Sequence, residues 1–196
     1  MPCRNQTQGH DNRNCLTNQN HKPMTTTLNK IKAHSPCEDV WDKLLNYLGK
    51  TQADDDPLSI ATIIESNGIK DAVWALCAVE GKDKEIRLFA ADCAESVLHV
   101  YEKQYPNDYR PRKAIQAARD YANGVICTQE LFQTMAMARV AEKLAGYFGK
   151  DAEREAAFAA MAAASVTEKS FERACASVAR HYLTCQEIEL LLTKYL

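Results

Sequence analysis

The chain has 196 residues, of which 46% are hydrophobic and 26% are charged. This composition is typical of a globular protein, and the length suffices for one domain with a substantial core. Glycine (7) and proline (6) are scarce, which favours long helices over many short strands. No stretch approaches the roughly 18 uncharged apolar residues that a membrane span requires. Because the N-terminus lacks the apolar segment of a secretory signal, we expect the eight cysteines to be reduced thiols in a cytoplasmic protein.

The charge is distributed unevenly along the chain. The net charge of the whole protein is −2. Residues 51–108 contain 5 Lys/Arg and 12 Asp/Glu, a net charge of −7, whereas residues 1–50 carry +3 and residues 109–196 carry +2. A strongly acidic segment in a nearly neutral protein suggests a docking surface for a basic partner, and the alternative is a solvated face.

The first 23 residues are rich in Asn, Gln and His, and Leu16 is their single large aliphatic residue. Such a segment buries too little apolar area to offset the entropy of ordering. We therefore predict a disordered N-terminal extension at residues 1–23 and a single all-α domain at residues 24–196. The cysteines and histidines of the extension have spacings that match no standard zinc module, so we predict no metal site there.

The rest of the chain shows apolar residues at helical spacing, separated by Gly, Pro, Asn and Asp. Capping-box patterns at Ser35–Glu38 and Thr184–Glu187 mark two helix starts. The predicted helices cover approximately residues 35–48, 59–66, 69–80, 83–104, 111–122, 128–148, 152–164, 167–183 and 184–195, and residues 25–34 are a further candidate for a short helix. This pattern predicts an all-α fold, either a helical bundle or a short α-solenoid of about eight or nine antiparallel helices.

Two of these segments have distinctive composition. The helix at 83–104 carries a wide apolar stripe that suits burial against two neighbours. Residues 152–164 are dominated by alanine, whose small side chain lets helix axes approach closely, which favours a tightly packed internal helix.

No motif for catalysis is visible. The sequence lacks a Gly-rich phosphate loop, an H-E-x-x-H motif and a G-x-S-x-G motif, and its five histidines are scattered. We therefore expect no enzymatic activity, no cofactor and no metal. The isoelectric point of about 6.2 and the small size of the arginine cluster at residues 110–119 argue against direct nucleic-acid binding. We expect those arginines to pair with Glu85, Asp92 or Glu95 on the preceding helix.

The stronger candidate for function is a set of carboxylates at or near consecutive turns. Turns at one side of a helical array cluster in space, and carboxylates there would attract a basic protein surface and speed its association. We call this set the acidic edge, and it consists of Asp54, Asp55, Asp56, Glu80, Asp83 and Glu85.

The segments RLFAADCAESVLHVYE (87–102) and RPRKAIQAARDYANG (110–124) resemble the immunity proteins of bacterial polymorphic-toxin systems, in the Imm-five-like family. The similarity is clear from Ile86 to Gly124 and weaker to about Val166. The positions that match the family pattern are Arg87, Phe89, Ala90, Cys93, Ala94, Arg110, Pro111, Arg112, Ala114, Ile115 and Arg119.

The resemblance implies a non-catalytic inhibitor that binds and blocks another protein, such as a nuclease, a toxin or a bacterial defence effector. Similar proteins occur in phages and prophages, where the implied role is to block a host enzyme. The acidic edge is then the predicted partner-binding surface, and Arg87, Glu95, Arg110, Arg112 and Arg119 are a predicted structural charge network. The alternative hypothesis is a scaffold protein that self-associates into a homo-oligomer through Met135, Met137 and the alanine-rich helix.

Overall fold

The computed structural model describes residues 23–165 and 184–196. The fold of these residues is all-α, with one small antiparallel sheet of two strands, β1 (Thr25–Thr26) and β2 (Leu58–Ser59). The helices are α1 (Leu28–Ala33), α2 (Glu38–Leu48), α3 (Ile60–Asn67), α4 (Ile69–Ala75), α5 (Asp83–Gln104), α6 (Arg110–Ala122), α7 (Thr128–Tyr147), α8 (Asp151–Ala163) and α9 (Cys185–Leu192). Residues 1–22 of the extension predicted at 1–23, and the helix predicted at 167–183, lie outside the described residues.

Helices α5 to α8 form a four-helix bundle. Each helix packs against the next, and α8 closes the ring by packing against α5. The connections at 105–109, 123–127 and 148–150 are short, as expected for antiparallel neighbours. The predicted apolar stripe of α5 is the centre of this packing, and its buried residues are Phe89, Ala90, Ala91, Cys93, Ala94, Val97, Leu98 and Tyr101.

The alanine-rich helix lies inside the bundle, as the sequence predicts. Its alanines at positions 156, 157, 159, 160, 162 and 163 are each at most 2% exposed. The small side chains bring α8 close to three helices at once, since it contacts α5, α6 and α7. The alanines therefore leave little of this helix available for the self-association proposed from the sequence.

The first four helices share one apolar core with the bundle, α9 contacts both α4 and α5, and the small sheet ties the start of α1 to the start of α3. Thr25 pairs with Ser59 and Thr26 with Leu58. The Thr26 hydroxyl donates to the carbonyl of Ala78, just before α5. Met24 is 1% exposed, so the buried core begins at the position where the sequence changes from polar to apolar. The assignment of residues 24–196 to a single domain stays a prediction.

The two capping predictions had different outcomes. At the start of α9, Thr184 accepts a hydrogen bond from the backbone N–H of Glu187, and the Glu187 carboxylate accepts from the N–H of Thr184, as predicted. The box predicted at Ser35 was wrong. Ser35 adopts a φ of 57° directly after α1, and α2 starts at Glu38 with Cys37 as its N-cap. The short connection from α1 to α2 imposes this left-handed backbone, which an N-cap residue does not adopt.

Candidate protein-binding surface

The first part of the acidic edge is the turn between α2 and β2. Asp54 is half-buried and organises the turn: its carboxylate accepts from Lys50 Nζ and from the backbone N–H of Asp56, and its carbonyl accepts from the N–H of Asn29. The hydrogen bond from Lys50 lowers the pKa of Asp54. Asp54 is therefore engaged in holding the turn.

The neighbouring Asp55 and Asp56 are exposed. Asp55 Oδ1 accepts a long 3.4 Å hydrogen bond from Thr27 Oγ1, and Asp56 Oδ2 is 2.8 Å from Lys50 Nζ. The Asp56 side chain nevertheless retains 76% of its accessibility. These two carboxylates are available to a partner.

The second part of the acidic edge is Glu80, and α1 connects it to the turn. Glu80 Oε2 accepts from Lys30 Nζ at 2.8 Å, and the Glu80 side chain is 75% exposed. Lys30 is in the same helix whose start contacts Asp54 and Asp55. The four carboxylates at 54, 55, 56 and 80 are thus placed around α1, and two lysines, Lys30 and Lys50, pair with three of them.

The third part of the acidic edge is the first turn of α5. Asp83 is exposed, whereas Glu85 is half-buried, and its Oε1 accepts a hydrogen bond from Lys82 Nζ at 2.9 Å. Both carboxylates lie at the positive end of the helix dipole, which stabilises them there. Glu85, one of the three expected partners of the arginines, is therefore paired within its own turn instead.

The arginines of α6 face carboxylates of α5 and of the intervening turn. Arg110 donates from Nε and Nη2 to the two oxygens of Asp108, which also accepts from the buried hydroxyl of Tyr101. Arg112 makes a similar two-point contact with Glu102. Hydrogen bonds from Arg110 lower the pKa of Asp108 to about 2, and burial followed by the bond to Asp108 raises that of Tyr101.

Arg119 and Asp92 form a second group of ion pairs and hydrogen bonds, which extends to Tyr195 near the C-terminus. Arg119 Nη2 is 2.8 Å from Asp92 Oδ1 and also contacts Glu95. Asp92 Oδ2 accepts from the hydroxyl of Tyr195 at 2.8 Å. Burial acts to raise the pKa of Asp92, but the hydrogen bonds from Arg119 and Tyr195 outweigh it and lower that pKa. The network therefore fixes α9 to α5.

Arg87 lies apart from these carboxylate pairs. Its Nη1 donates to the carbonyls of Ala163 and Ser165, at 3.2 Å and 2.6 Å, and its guanidinium lies 5.0 Å from the ring centroid of Tyr121. Desolvation lowers the pKa of Arg87. A cation at the C-terminal end of α8 also complements the helix dipole. Arg87 thus joins α5, α6 and the end of α8.

Three residues that are central to this network were not predicted from the sequence. Asp108, Tyr101 and Tyr195 each make a half-buried hydrogen bond, and none was selected from the sequence. Asn107 and Asp108 are among the Gly, Pro, Asn and Asp residues that separate the predicted helices, and Asp108 is two residues before Arg110. Nothing in the sequence distinguished the two tyrosines, because burial of the ring is enough to explain a Tyr at an apolar position of a helix.

A shallow groove of about 380 Å³ runs between α5 and α6 beside this network. Its floor is apolar, with Leu98 and Ile115 each 2% exposed. The side chains that line it are Glu95, Leu98, Tyr109, Arg112, Lys113, Ile115, Gln116 and Arg119. Because Arg112 and Arg119 are held by carboxylates, their positions serve the packing of the hairpin.

Within residues 23–165 and 184–196, no three His, Cys, Asp or Glu side chains are grouped as metal ligands would be. The helices in the same ranges also include none with the length and apolar character needed to cross a membrane.

Comparison with known proteins locates the resemblance that the motif predicted. Residues 78–148 match the model of a family described as Imm-5 like putative immunity protein. The match covers α5, α6 and α7 with the turn before them, which includes Glu80, Asp83 and Glu85 of the acidic edge. No curated protein and no solved structure matches the chain. The immunity-protein-like segment therefore coincides with three of the four bundle helices, and it suggests an immunity-protein-like role.

Proposed function

We propose that this protein is a non-catalytic inhibitor that binds a nuclease, a toxin or another effector protein and blocks its basic working surface. The observation that carries the proposal is the match of residues 78–148 to an immunity-protein family. A protein of that kind acts by occupying its target, so it needs a complementary surface and no reacting groups.

The acidic edge is the surface that we assign to the target. Asp55, Asp56, Glu80 and Asp83 are exposed. The lysines beside them, Lys30 and Lys50, neutralise only part of their charge. Nuclease surfaces that bind nucleic acid are rich in Lys and Arg, since they contact phosphates. Carboxylates held on a rigid scaffold would compete for those cations and accelerate the encounter.

The binding test uses the toxin or nuclease encoded beside this gene as the probe. We expect a stable complex by isothermal titration calorimetry and loss of plasmid cleavage at stoichiometric inhibitor. The affinity should fall as salt is raised, because exposed charges are screened beyond about 10 Å at 0.1 M salt.

A charge-reversal variant, Asp55→Lys with Glu80→Lys, tests the surface. Its matched control is Asp42→Lys with Glu189→Lys, which changes the net charge equally at two exposed helical positions. We expect the first variant to lose at least tenfold in affinity and the control to bind as the wild type does. If both variants bind equally well, the acidic edge is not the contact surface. If the wild type neither binds nor inhibits, the inhibitor proposal itself is wrong.

A further inference from the structure

The groove between α5 and α6 combines an apolar floor with a free positive charge. Leu98 and Ile115 form the floor, and Tyr109, which also lines the groove, is 55% exposed. Lys113 lines it too, and within residues 23–165 and 184–196 its ammonium group has no ion pair and no hydrogen bond. The groove therefore offers a place for an apolar side chain beside a place for a carboxylate.

Two arginines of the groove are held by carboxylates and still have unused donors. Arg112 binds Glu102 through Nε and Nη2, and Arg119 binds two carboxylates of α5 through Nη2 alone. A guanidinium has five N–H groups on three nitrogens. Nη1 of each arginine thus has no acceptor in the described part of the chain. The charges of both arginines are compensated, so the charge that the groove presents to a ligand is that of Lys113.

The shape and composition of the groove favour a segment of another protein over a small molecule. Pockets for small molecules bury roughly 70–90% of the ligand surface, whereas this groove is shallow and open to solvent. Tyr and Arg are the residue types that most often dominate the binding energy of protein interfaces. Tyr109, Arg112 and Arg119 all line the groove.

A tight inhibitor needs more than the acidic edge can supply. Exposed charges act mainly on the association rate, whereas slow dissociation requires side chains that are buried at the centre of the interface. The acidic edge consists of carboxylates alone, so it has no site of that kind. The groove has one, and its residues lie within 78–148, the segment that matches the immunity-protein family.

One target can reach both surfaces, because they are close together along α5. From Glu85 of the acidic edge to Glu95 of the groove, the helix advances by about 15 Å and the two positions are about 80° apart around its axis. A standard interface covers about 800 Å² of each partner, which is a patch roughly 30 Å across. The two surfaces therefore fit within a single interface.

We propose that the groove between α5 and α6 is a second contact for the target, where it receives an apolar side chain adjacent to an Asp or Glu of that protein. This inference rests on the inhibitor function proposed above. The apolar side chain covers Leu98 and Ile115 and packs against the ring of Tyr109. The adjacent carboxylate pairs with Lys113 and accepts a hydrogen bond from Nη1 of Arg112. The acidic edge then governs association, and the groove governs dissociation.

The first test measures both rate constants by surface plasmon resonance, with the toxin or nuclease encoded beside this gene as the immobilised probe. Tyr109→Ala removes an exposed ring whose side chain makes no capping hydrogen bond. It should raise the dissociation rate by about tenfold and leave the association rate nearly unchanged. The control Tyr147→Ala removes an 84% exposed tyrosine of α7 and should change neither rate. Circular dichroism checks that each variant is folded.

A second pair of variants tests the charge. Lys113→Glu sets a carboxylate against the carboxylate of the partner and should raise the dissociation constant by about tenfold. Lys143→Glu makes the same change of net charge at an exposed position of α7 and should bind as the wild type does. Equal affinities for the two variants would overturn the role of Lys113.

Carbodiimide cross-linking of the wild-type complex identifies the partner segment, because this reagent joins an amine to a carboxylate that contacts it. We expect mass spectrometry to find Lys113 joined to an Asp or Glu of the target that is next to a large apolar residue. A link from Lys113 to a segment without such a residue overturns the stated chemistry, as does a stable complex in which Lys113 is not linked.

The outcomes separate this inference from the function on which it rests. A wild type that does not bind the target refutes the inhibitor function. A wild type that binds, together with unchanged binding by Tyr109→Ala and Lys113→Glu, leaves the inhibitor function intact and refutes the second contact.

Discussion

The molecule has two charged regions, and they differ in how each carboxylate is held. Between α5 and α6, Asp92 and Asp108 are half-buried and meet arginines that approach from the next helix. At the acidic edge, Asp56 and Glu80 pair with lysines and remain about three-quarters exposed.

The difference indicates separate roles for the two regions. A two-point contact between an arginine and a carboxylate fixes the positions of both side chains. Removal of one partner leaves the other as an unpaired, desolvated charge. Exposed lysine pairs contribute little to stability and can exchange one partner for another. The same residue type thus holds the fold in one region and stays available in the other, and variants of each region measure this contrast.

The largest effect is expected at Asp108. Asp108→Ala leaves the buried hydroxyl of Tyr101 without its acceptor and Arg110 without its carboxylate. We expect the free energy of unfolding to fall by about 3 kcal/mol in urea titrations followed by circular dichroism. Asp120→Ala, on the same hairpin, should change it by less than about 0.5 kcal/mol. Equal losses of unfolding free energy for the two variants would show that Asp108 is not central to the network.

Arg87 should come next. Arg87→Ala leaves two carbonyls at the end of α8 without their charged donor and removes the contact with Tyr121. We expect a loss of about 2 kcal/mol. Arg87→Lys should recover less than half of it, because an ammonium lacks the planar fork. Full recovery by lysine would show that charge alone matters at this position.

Acidification should destabilise the protein by protonating Asp108. The folded pKa of Asp108 is about 2, below the ordinary 3.8. A lowered folded pKa gives stability that is present above about pH 4 and is lost as the pH falls towards 2, here about 2 kcal/mol. Unfolding free energies measured at several pH values should fall less steeply for Asp108→Asn than for the wild type. Parallel curves would rule out this carboxyl as the titrating group.

A smaller effect is expected where the network reaches α9. Tyr195→Phe removes the hydroxyl that donates to Asp92 but keeps the ring against Phe89. We expect a loss of about 1 kcal/mol and faster amide hydrogen exchange in residues 185–192. Unchanged exchange in α9 would show that its apolar residues, Ile188 and Leu192, suffice to hold it.

The smallest effect on stability belongs to the acidic edge. Asp55→Lys and Glu80→Lys alter exposed carboxylates, so the free energy of unfolding should move by less than about 0.5 kcal/mol. Thermal melts at low and moderate salt provide the measurement. A large loss of stability would place these carboxylates with the structural network and remove them from the candidate binding surface.

The hairpin of α5 and α6 shows how far sequence reasoning reaches. Its bounds were predicted to within about a residue, because the apolar period and the Pro, Asn and Asp residues between the two helices are local signals. Which arginine pairs with which carboxylate was predicted less well. Arg119 does meet Asp92 and Glu95, whereas Arg110 and Arg112 bond Asp108 and Glu102, which were not proposed. Pairing depends on the rotation of one helix against the other, and the sequence of either helix leaves that rotation open.

The helices, the capping box at Thr184 and the apolar stripe of α5 were determined by the sequence itself, since side-chain period and capping act within a few residues. Tertiary structure decided two further points. It buried the alanine-rich α8 against three helices and left the outer side of α7 exposed. It also gave the hairpin arginines to structural pairs and left Asp55, Asp56 and Glu80 accessible. Both outcomes depend on which helix faces pack together, and that choice arises only when the whole chain competes for the same core.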